Sequence, residues 1–168
     1  MTNDEIHSAV VSWVAIVTKF VVIKSYQPDP APVPPYITVT LTSMAPVREQ
    51  AQTIEYTDTG EPNSEGKNRI SAAPVIEQEW QFSLNAQGPQ PSDMLRPIFS
   101  AAKLSQITEP MFPNLVVHEV SLIKDATALV DGQWKPQAQM DVKLRGLTRD
   151  GFIIDVIDQA DFDIVRIQ

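Results

Sequence analysis

The N-terminal part of the chain carries an apolar stripe at helical spacing. Apolar side chains recur at steps of three and four residues from Ile6 to Val21, which predicts an amphipathic helix lying on a core. Thr2 and Glu5 have the spacing of a capping box. Because residues 21–23 are β-branched, we expect the helix to give way to a short extended segment there.

Alternation of apolar and polar residues predicts the strands of a half-buried sheet. The pattern is clearest where Trp80, Phe82 and Leu84 alternate with polar neighbours. Strands are predicted at residues 36–42, 79–84, 115–123, 138–147, 152–157 and 162–167, with a weaker pattern at 52–57. Asp-Gly pairs at 131–132 and 150–151 are turn signals between strands.

A second helix is predicted after the Gly- and Pro-rich segment 88–91. Ser92 or Asp93 is the expected cap, and Pro97 is compatible only with the first turn. Its predicted inner face comprises Met94, Leu95, Ile98, Phe99 and Ala102. The order of elements predicts one α+β domain over residues 1–168, with both helices on a mainly antiparallel sheet.

Two segments interrupt this pattern. Residues 27–35 are proline-rich, which predicts a stiff connector of polyproline character, with an SH3-type peptide ligand as the alternative. Residues 57–69 are polar and rich in turn formers, which predicts a mobile loop. The loop's candidate partner contacts are Glu61, Glu65, Lys67 and Arg69.

Composition excludes several classes of function. The chain has 21 acidic and 13 basic residues and a net charge of −8, which argues against a protein that grips duplex DNA. It has no cysteine, so thiolate chemistry is excluded and a reducing compartment is favoured. The apolar run 9–23 is short for a membrane span and follows acidic residues, so neither a membrane nor an export segment is predicted.

No motif for catalysis, cofactor binding or metal binding stands out. His7 and His118 lack a partner motif and are interpreted as structural, and the chain has neither a nucleophile elbow nor a glycine-rich phosphate loop. Acidic residues gather at 155–163, where a charged strand edge is the preferred interpretation over a divalent metal site. No catalytic residue, cofactor or metal ligand is therefore assigned.

Trp134 and Lys135 follow the Asp-Gly turn at 131–132 in a polar stretch. An aromatic side chain near a turn either tucks under the sheet or anchors a partner surface. Both interpretations stay open from the sequence, and both residues are candidate partner contacts.

Three stretches resemble the tail-terminator, or neck, proteins of tailed bacteriophages. They are PVPPYITV at 32–39, WQFSLNAQG at 80–88, and LVDGQW at 129–134 leading into AQMDV at 138–142. With the N-terminal helix, the resemblance covers nearly the whole chain. The chain departs from the family pattern at 135–137, where the family tends to carry an acidic–basic pair.

The resemblance implies a structural virion protein without catalytic residues. Such a subunit forms a homo-oligomeric, hexameric ring at the neck, assembled in the host cytoplasm, that ends polymerisation of the tail tube. Its implied partners are the tail tube protein and the head-completion or neck proteins. Genomic DNA would pass through the ring without sequence-specific binding, and the acidic charge fits a lumen that repels phosphates.

Three alternatives remain at this point. The first is a head-completion or neck connector subunit of the same passage. The second is a small ligand- or peptide-binding domain that uses residues 43–69 as a gripping loop. The third and weakest is an enzyme that uses the acidic residues 155–163 with a divalent metal.

The loop interpretation predicts how the free subunit is cleaved. Residues 57–69 offer almost no apolar anchor, so limited proteolysis should cut first near Gly60 to Gly66. Mass spectrometry of the first fragments measures this. Protection of that stretch in the monomer, with earlier cleavage elsewhere, would contradict the prediction.

Overall fold

The computed structural model describes residues 2–27, 30–63, 66, 68–111, 114–130 and 132–154. Its helices are α1 (Asn3–Thr18) and α2 (Pro91–Ala101), with 3₁₀ turns at Ser105–Ile107 and Glu109–Met111. The strands are β1 (Val21–Lys24), β2 (Tyr36–Pro46), β3 (Thr53–Pro62), β4 (Asn68–Gln87), β5 (Leu115–Val120), β6 (Lys124–Asp125), β7 (Ala128–Val130), β8 (Gln133–Lys135), β9 (Gln137–Arg149) and β10 (Phe152–Ile154). The predicted α+β class, with a mainly antiparallel sheet, is confirmed.

Strand β4 is the centre of the sheet. On one side it pairs with β2 along its C-terminal half and with β3 along its N-terminal half. On the other side it pairs with β9 and then with β10. The main sheet has the order β1-β2-β4-β9-β5. We call the three-stranded extension made of β3, residues 68–75 of β4, and β10 the arm.

Strands β1 and β2 form the parallel pair of this sheet. Parallel neighbours cannot be joined by a tight turn, because the chain must return to the end where it started. The segment between Lys24 and Tyr36 makes this return, and its described residues 30–35 are neither helix nor strand. The Pro34–Pro35 peptide bond in this segment is cis.

Helix α1 begins as the sequence predicts. The Thr2 side chain accepts a hydrogen bond from the Glu5 backbone N–H, and the Glu5 carboxylate accepts one from the Thr2 N–H. The helix ends at Thr18, and Lys19 follows in the left-handed conformation, so the predicted change to an extended segment is also confirmed. An ion pair of 2.5 Å between Lys24 and Asp4 ties β1 to the first turn.

The core lies between one face of the main sheet and the two helices. The even-numbered side chains at 80–86 of β4 and 138–144 of β9 are buried on this face, as the alternation predicts. The largest fully buried side chains include Trp13, Ile6, Trp80, Phe82, Leu84, Leu95, Ile98, Met140 and Leu144. Burial of this many large apolar groups is the main source of stability for a domain of this size.

Helix α2 differs from its prediction in the N-cap residue and in the position of Pro97. Its N-cap is Gln90, which makes no side-chain capping bond, so the proposed caps Ser92 and Asp93 are wrong. Pro91 occupies the first turn, where a missing N–H costs nothing, and Pro97 lies farther inside the helix than predicted. On the inner face Ala101 is buried and Ala102 only half-buried.

The assignment of residues 57–69 to a loop is wrong for most of the segment. Strand β3 continues to Pro62 and β4 begins at Asn68, so the polar residues belong largely to a hairpin. The polar composition of this segment resembles that of a loop because both strands are largely exposed in the arm and need few apolar residues. Mobility of the hairpin tip stays a prediction.

The C-terminal strands follow the predicted pattern with shifted ends. Strand β5 ends at Val120 rather than residue 123, and β9 extends beyond the predicted 138–147. The turn predicted at 150–151 is wrong, because β10 continues β9 in line and pairs with β4 in the same register on either side of these two residues. The rest of the predicted strand 152–157, the strand 162–167 and the acidic residues at 155–163 lie outside the described residues.

Trp13 tests the core assignment of α1. Its side chain is fully buried and its indole Nε1 has no hydrogen-bond partner among the described residues. Trp13→Asp buries an unpaired charge and should leave the protein unfolded or insoluble. Trp13→Phe loses no hydrogen bond, so it should unfold cooperatively and lose less than the roughly 3–5 kcal/mol typical of truncation to alanine. Thermal unfolding by circular dichroism measures both, and a stably folded Trp13→Asp protein would refute the assignment.

Candidate functional site

The candidate contact residues lie at opposite ends of the sheet. Trp134 and Lys135 belong to β8, which leads into the start of β9 opposite Gln87. Glu61 and Arg69 lie in the arm, near the other end of β4. With a rise of about 3.3 Å per residue, the two ends lie about 60 Å apart along β4. The structure therefore does not bring these residues into one site. Two further candidates, Glu65 and Lys67, lie outside the described residues.

Strands β7 and β8 form a small hairpin of their own, which we call the tryptophan hairpin. Leu129 is the direct cross-strand neighbour of Trp134, so the two side chains share one face. They are 58% and 70% exposed. Gly132, with a φ of +75°, makes the turn in a conformation that favours glycine. The interpretation in which Trp134 tucks under the sheet is wrong, and an exposed apolar pair remains.

The arm carries a second exposed apolar face, which sequence reasoning missed. Tyr56 and Phe152 both pair with Ala72, from opposite sides, so their side chains project to the same face. By the same register Ile54 and Ile154 join them. The exposed fractions are 63% for Tyr56, 65% for Phe152, 46% for Ile54 and 38% for Ile154. We call these four side chains the arm face.

The arm face continues the core face of the sheet. The alternation of β4 runs without a register shift from the buried residues 80–86 through its pairings with β9 and then β3 down to residue 70. The helices contact the main sheet at β1, β2, β4 and β9. Contiguous exposed apolar groups on a folded chain mark an interaction site more often than an ordinary surface.

Near the tip of the arm, Asp58 is held in a fixed position. Its carboxylate accepts hydrogen bonds from the Gly60 N–H at 2.8 Å and from the Asn68 side chain at 2.9 Å. The Gly60 N–H and then the Asn68 amide lower the pKa of Asp58 below its ordinary value. An ionised carboxylate therefore lies two residues beyond Tyr56 in β3, on the same face of the arm.

The opposite face of the sheet is polar and carries three cross-strand ion pairs among the described residues. Their distances are 2.9 Å for Arg145–Glu79, 2.7 Å for Lys143–Glu119 and 3.0 Å for Arg149–Glu55. The Lys143 hydrogen bond and charge lower the pKa of Glu119, and Glu119 in turn raises the pKa of Lys143. These pairs connect β3, β4, β5 and β9 across the sheet.

A shallow hollow of about 670 Å³ lies on this polar face, lined by residues that include His118, Arg145 and Arg149. Both arginines already face glutamates, so the hollow is not a prepared anion site. Within the described residues no three His, Asp or Glu side chains are grouped as metal ligands. The acidic residues 155–163 of the metal-enzyme alternative lie outside the described residues.

The two histidines take part in no catalytic arrangement among the described residues. The His7 Nε2 lies 2.9 Å from the Val39 carbonyl oxygen, and its ring packs against Phe82 with the centroids 5.4 Å apart. His118 is exposed on β5, at the irregularity in its pairing with β9. His7 thus joins α1 to the sheet, in keeping with its structural interpretation. Neither described helix has the length and apolar content to cross a bilayer.

The described residues form a small α+β domain whose distinctive surface features are two exposed apolar faces rather than a pocket lined by reactive groups. Residues 4–168 match the family model described as phage neck terminator protein. The chain therefore belongs to the phage neck terminator family. The search of curated proteins found no significant match.

Membership of this family makes the chain a structural protein of the phage neck. It also places the protein in the virion, at the neck, in association with other head and tail proteins. The resemblance drawn from the proline-rich stretch, the β4 motif and the tryptophan hairpin is confirmed.

The ion pair between Glu119 and Lys143 predicts a pH dependence of stability. Because the pKa of Glu119 is lowered on folding, its contribution is present above the ordinary carboxyl pKa and is lost as the pH falls through the lowered value. Glu119→Gln should lower the melting temperature slightly at pH 7, and the difference should vanish in acid, since exposed pairs contribute little.

Thermal unfolding of both proteins at several pH values measures this. Glu49→Gln, in the exposed segment between β2 and β3, is the control with the same charge change. An equal loss in both variants, or a loss from Glu119→Gln that persists at low pH, would contradict the prediction.

Proposed function

We propose that this subunit assembles into a closed ring that caps the phage tail tube, ends its polymerisation and joins it to the head. The observation that carries the proposal is the family match over nearly the whole chain. The ring is taken to be hexameric, in keeping with the resemblance. Its neighbours would be the tail tube protein below and head-completion or neck proteins above.

The distribution of apolar surface supports a ring. A closed ring uses heterologous contacts, in which one surface of each subunit meets a different surface of the next. The arm face and the tryptophan hairpin are two such surfaces, and they lie at opposite ends of β4. A subunit with one self-complementary patch would instead favour a two-fold dimer.

The charge of the chain supports passage of DNA through the ring. The net charge of −8 per subunit repels phosphates, so a lumen of these subunits would let DNA slide without gripping it. The same charge opposes association of the subunits. Assembly should therefore strengthen with salt, which screens repulsion between exposed charges.

A phage with an early stop codon in this gene tests the function. Because the tube would lose its stop, lysates should contain filled heads together with abnormally long tails that are not attached to them. Negative-stain electron microscopy of the lysate measures both features. Expression of the protein in trans is the control and should restore normal tails.

Three outcomes would overturn the tail-terminator role. Heads that fail to package DNA would indicate an earlier step of head completion. Normal-length tails attached to heads would indicate that the protein is dispensable for joining. Tails of normal length that stay detached would favour the connector subunit one layer higher in the neck.

A further inference from the structure

We infer that the arm face of one subunit binds the tryptophan hairpin of the next subunit. This inference rests on the proposed ring, because it names the two surfaces by which copies of the chain would join. Both surfaces are apolar and exposed, and each lies at its own end of β4. A contact between opposite ends of identical subunits propagates from copy to copy, as head-to-tail assembly requires.

The two surfaces have matching chemistry. The arm face is a flat apolar sheet surface with two aromatic rings, Tyr56 and Phe152. The hairpin presents Trp134 beside Leu129 as a protruding apolar pair. Tryptophan and tyrosine are the side chains most often found at the energetic centre of protein interfaces, because they bury large areas with few freely rotating bonds.

The charge on the arm face opposes contact between two arms. Asp58 is ionised and held by its hydrogen bonds on the same face as Tyr56. Lys135 follows Trp134 in β8, so strand alternation places its side chain on the other face of the hairpin. An arm-on-arm contact would bring two Asp58 carboxylates together, whereas the hairpin presents the uncharged side chains of Trp134 and Leu129.

The area of these surfaces is too small for a stable dimer held by one such contact. With aromatic side chains of about 150–250 Å² each, the two exposed rings of the arm face offer on the order of 250 Å². A stable two-protein interface needs about 800 Å² from each partner. One such contact alone would be weak. In a closed ring, however, every subunit makes the contact on both sides, because the ring has no terminal subunit with an unoccupied surface.

Complementing variants test the pairing in solution. Tyr56→Asp and Trp134→Asp should each abolish assembly, because each places a charge in the apolar contact. Mixed in equal amounts, they retain one intact arm face and one intact hairpin, so they should form a dimer of twice the 18.7 kDa chain mass and nothing larger. Light scattering after size exclusion measures the masses. Tyr26→Asp, at an exposed tyrosine outside both surfaces, is the control and should assemble like the wild type.

Cross-linking tests the contact directly, since the chain has no cysteine of its own. Ile54→Cys and Thr127→Cys place thiols at exposed positions, the first in the arm face and the second two residues from Leu129 on the same side of the hairpin. With a short bismaleimide, the double variant should give a ladder of covalent multimers. Each single variant should give none, and their mixture should give dimers only.

The outcomes separate this inference from the proposed ring. Rings that persist in Tyr56→Asp and Trp134→Asp would overturn the pairing and leave the ring standing. A cross-linked ladder without closed rings in the microscope would support the pairing and overturn the ring. Dimers from Ile54→Cys alone would show arm-on-arm contact and overturn the inference. The absence of any intermolecular product from the double variant would overturn it as well.

Discussion

The register of strand β4 is the constraint on which the rest of the structure depends. Trp80, Phe82 and Leu84 have to face the helices, and the strict alternation of a strand then decides where every other side chain of β4 points. A slip of one residue would expose these three groups and bury their polar neighbours. Because β3 and β10 pair with the same strand, their side chains inherit this register. The apolar arm face is thus set by burial that takes place in the distant core.

The fold was predictable from sequence where burial and local chemistry agree. The capping box of Thr2 and Glu5, the alternation in β4 and that in β9 each combine a strong local signal with a buried face. Helix α2 was placed correctly but its start was not, since Gln90 provides no side-chain cap and Pro91 alone sets the first turn. The arm was recognised only in fragments, at 52–57 and 152–157, because its faces are largely exposed and its strands carry no strong alternation.

The candidate surfaces were predictable only in part. Trp134 stood out because an aromatic residue in a polar turn is unusual, yet its exposure became clear only from the pairing of β7 with β8. The arm face joins residues from β3 and β10 that are about a hundred positions apart in the chain. No local sequence pattern shows that such residues lie close together. The charged candidates Glu61 and Arg69 do lie in the arm, but nothing in the sequence indicated the apolar side chains on its face.

The continuity of β4 also has a mechanical consequence. Strand β4 carries the arm and the helix-covered core on one uninterrupted backbone of 20 residues. Its hydrogen bonds to β2 and β9 run perpendicular to the strand, so a pull on the arm along the strand axis loads them in shear, all together. Rupture would require many bonds to break at once rather than one after another. Tension that enters at one end of the subunit is therefore carried through its core to the other.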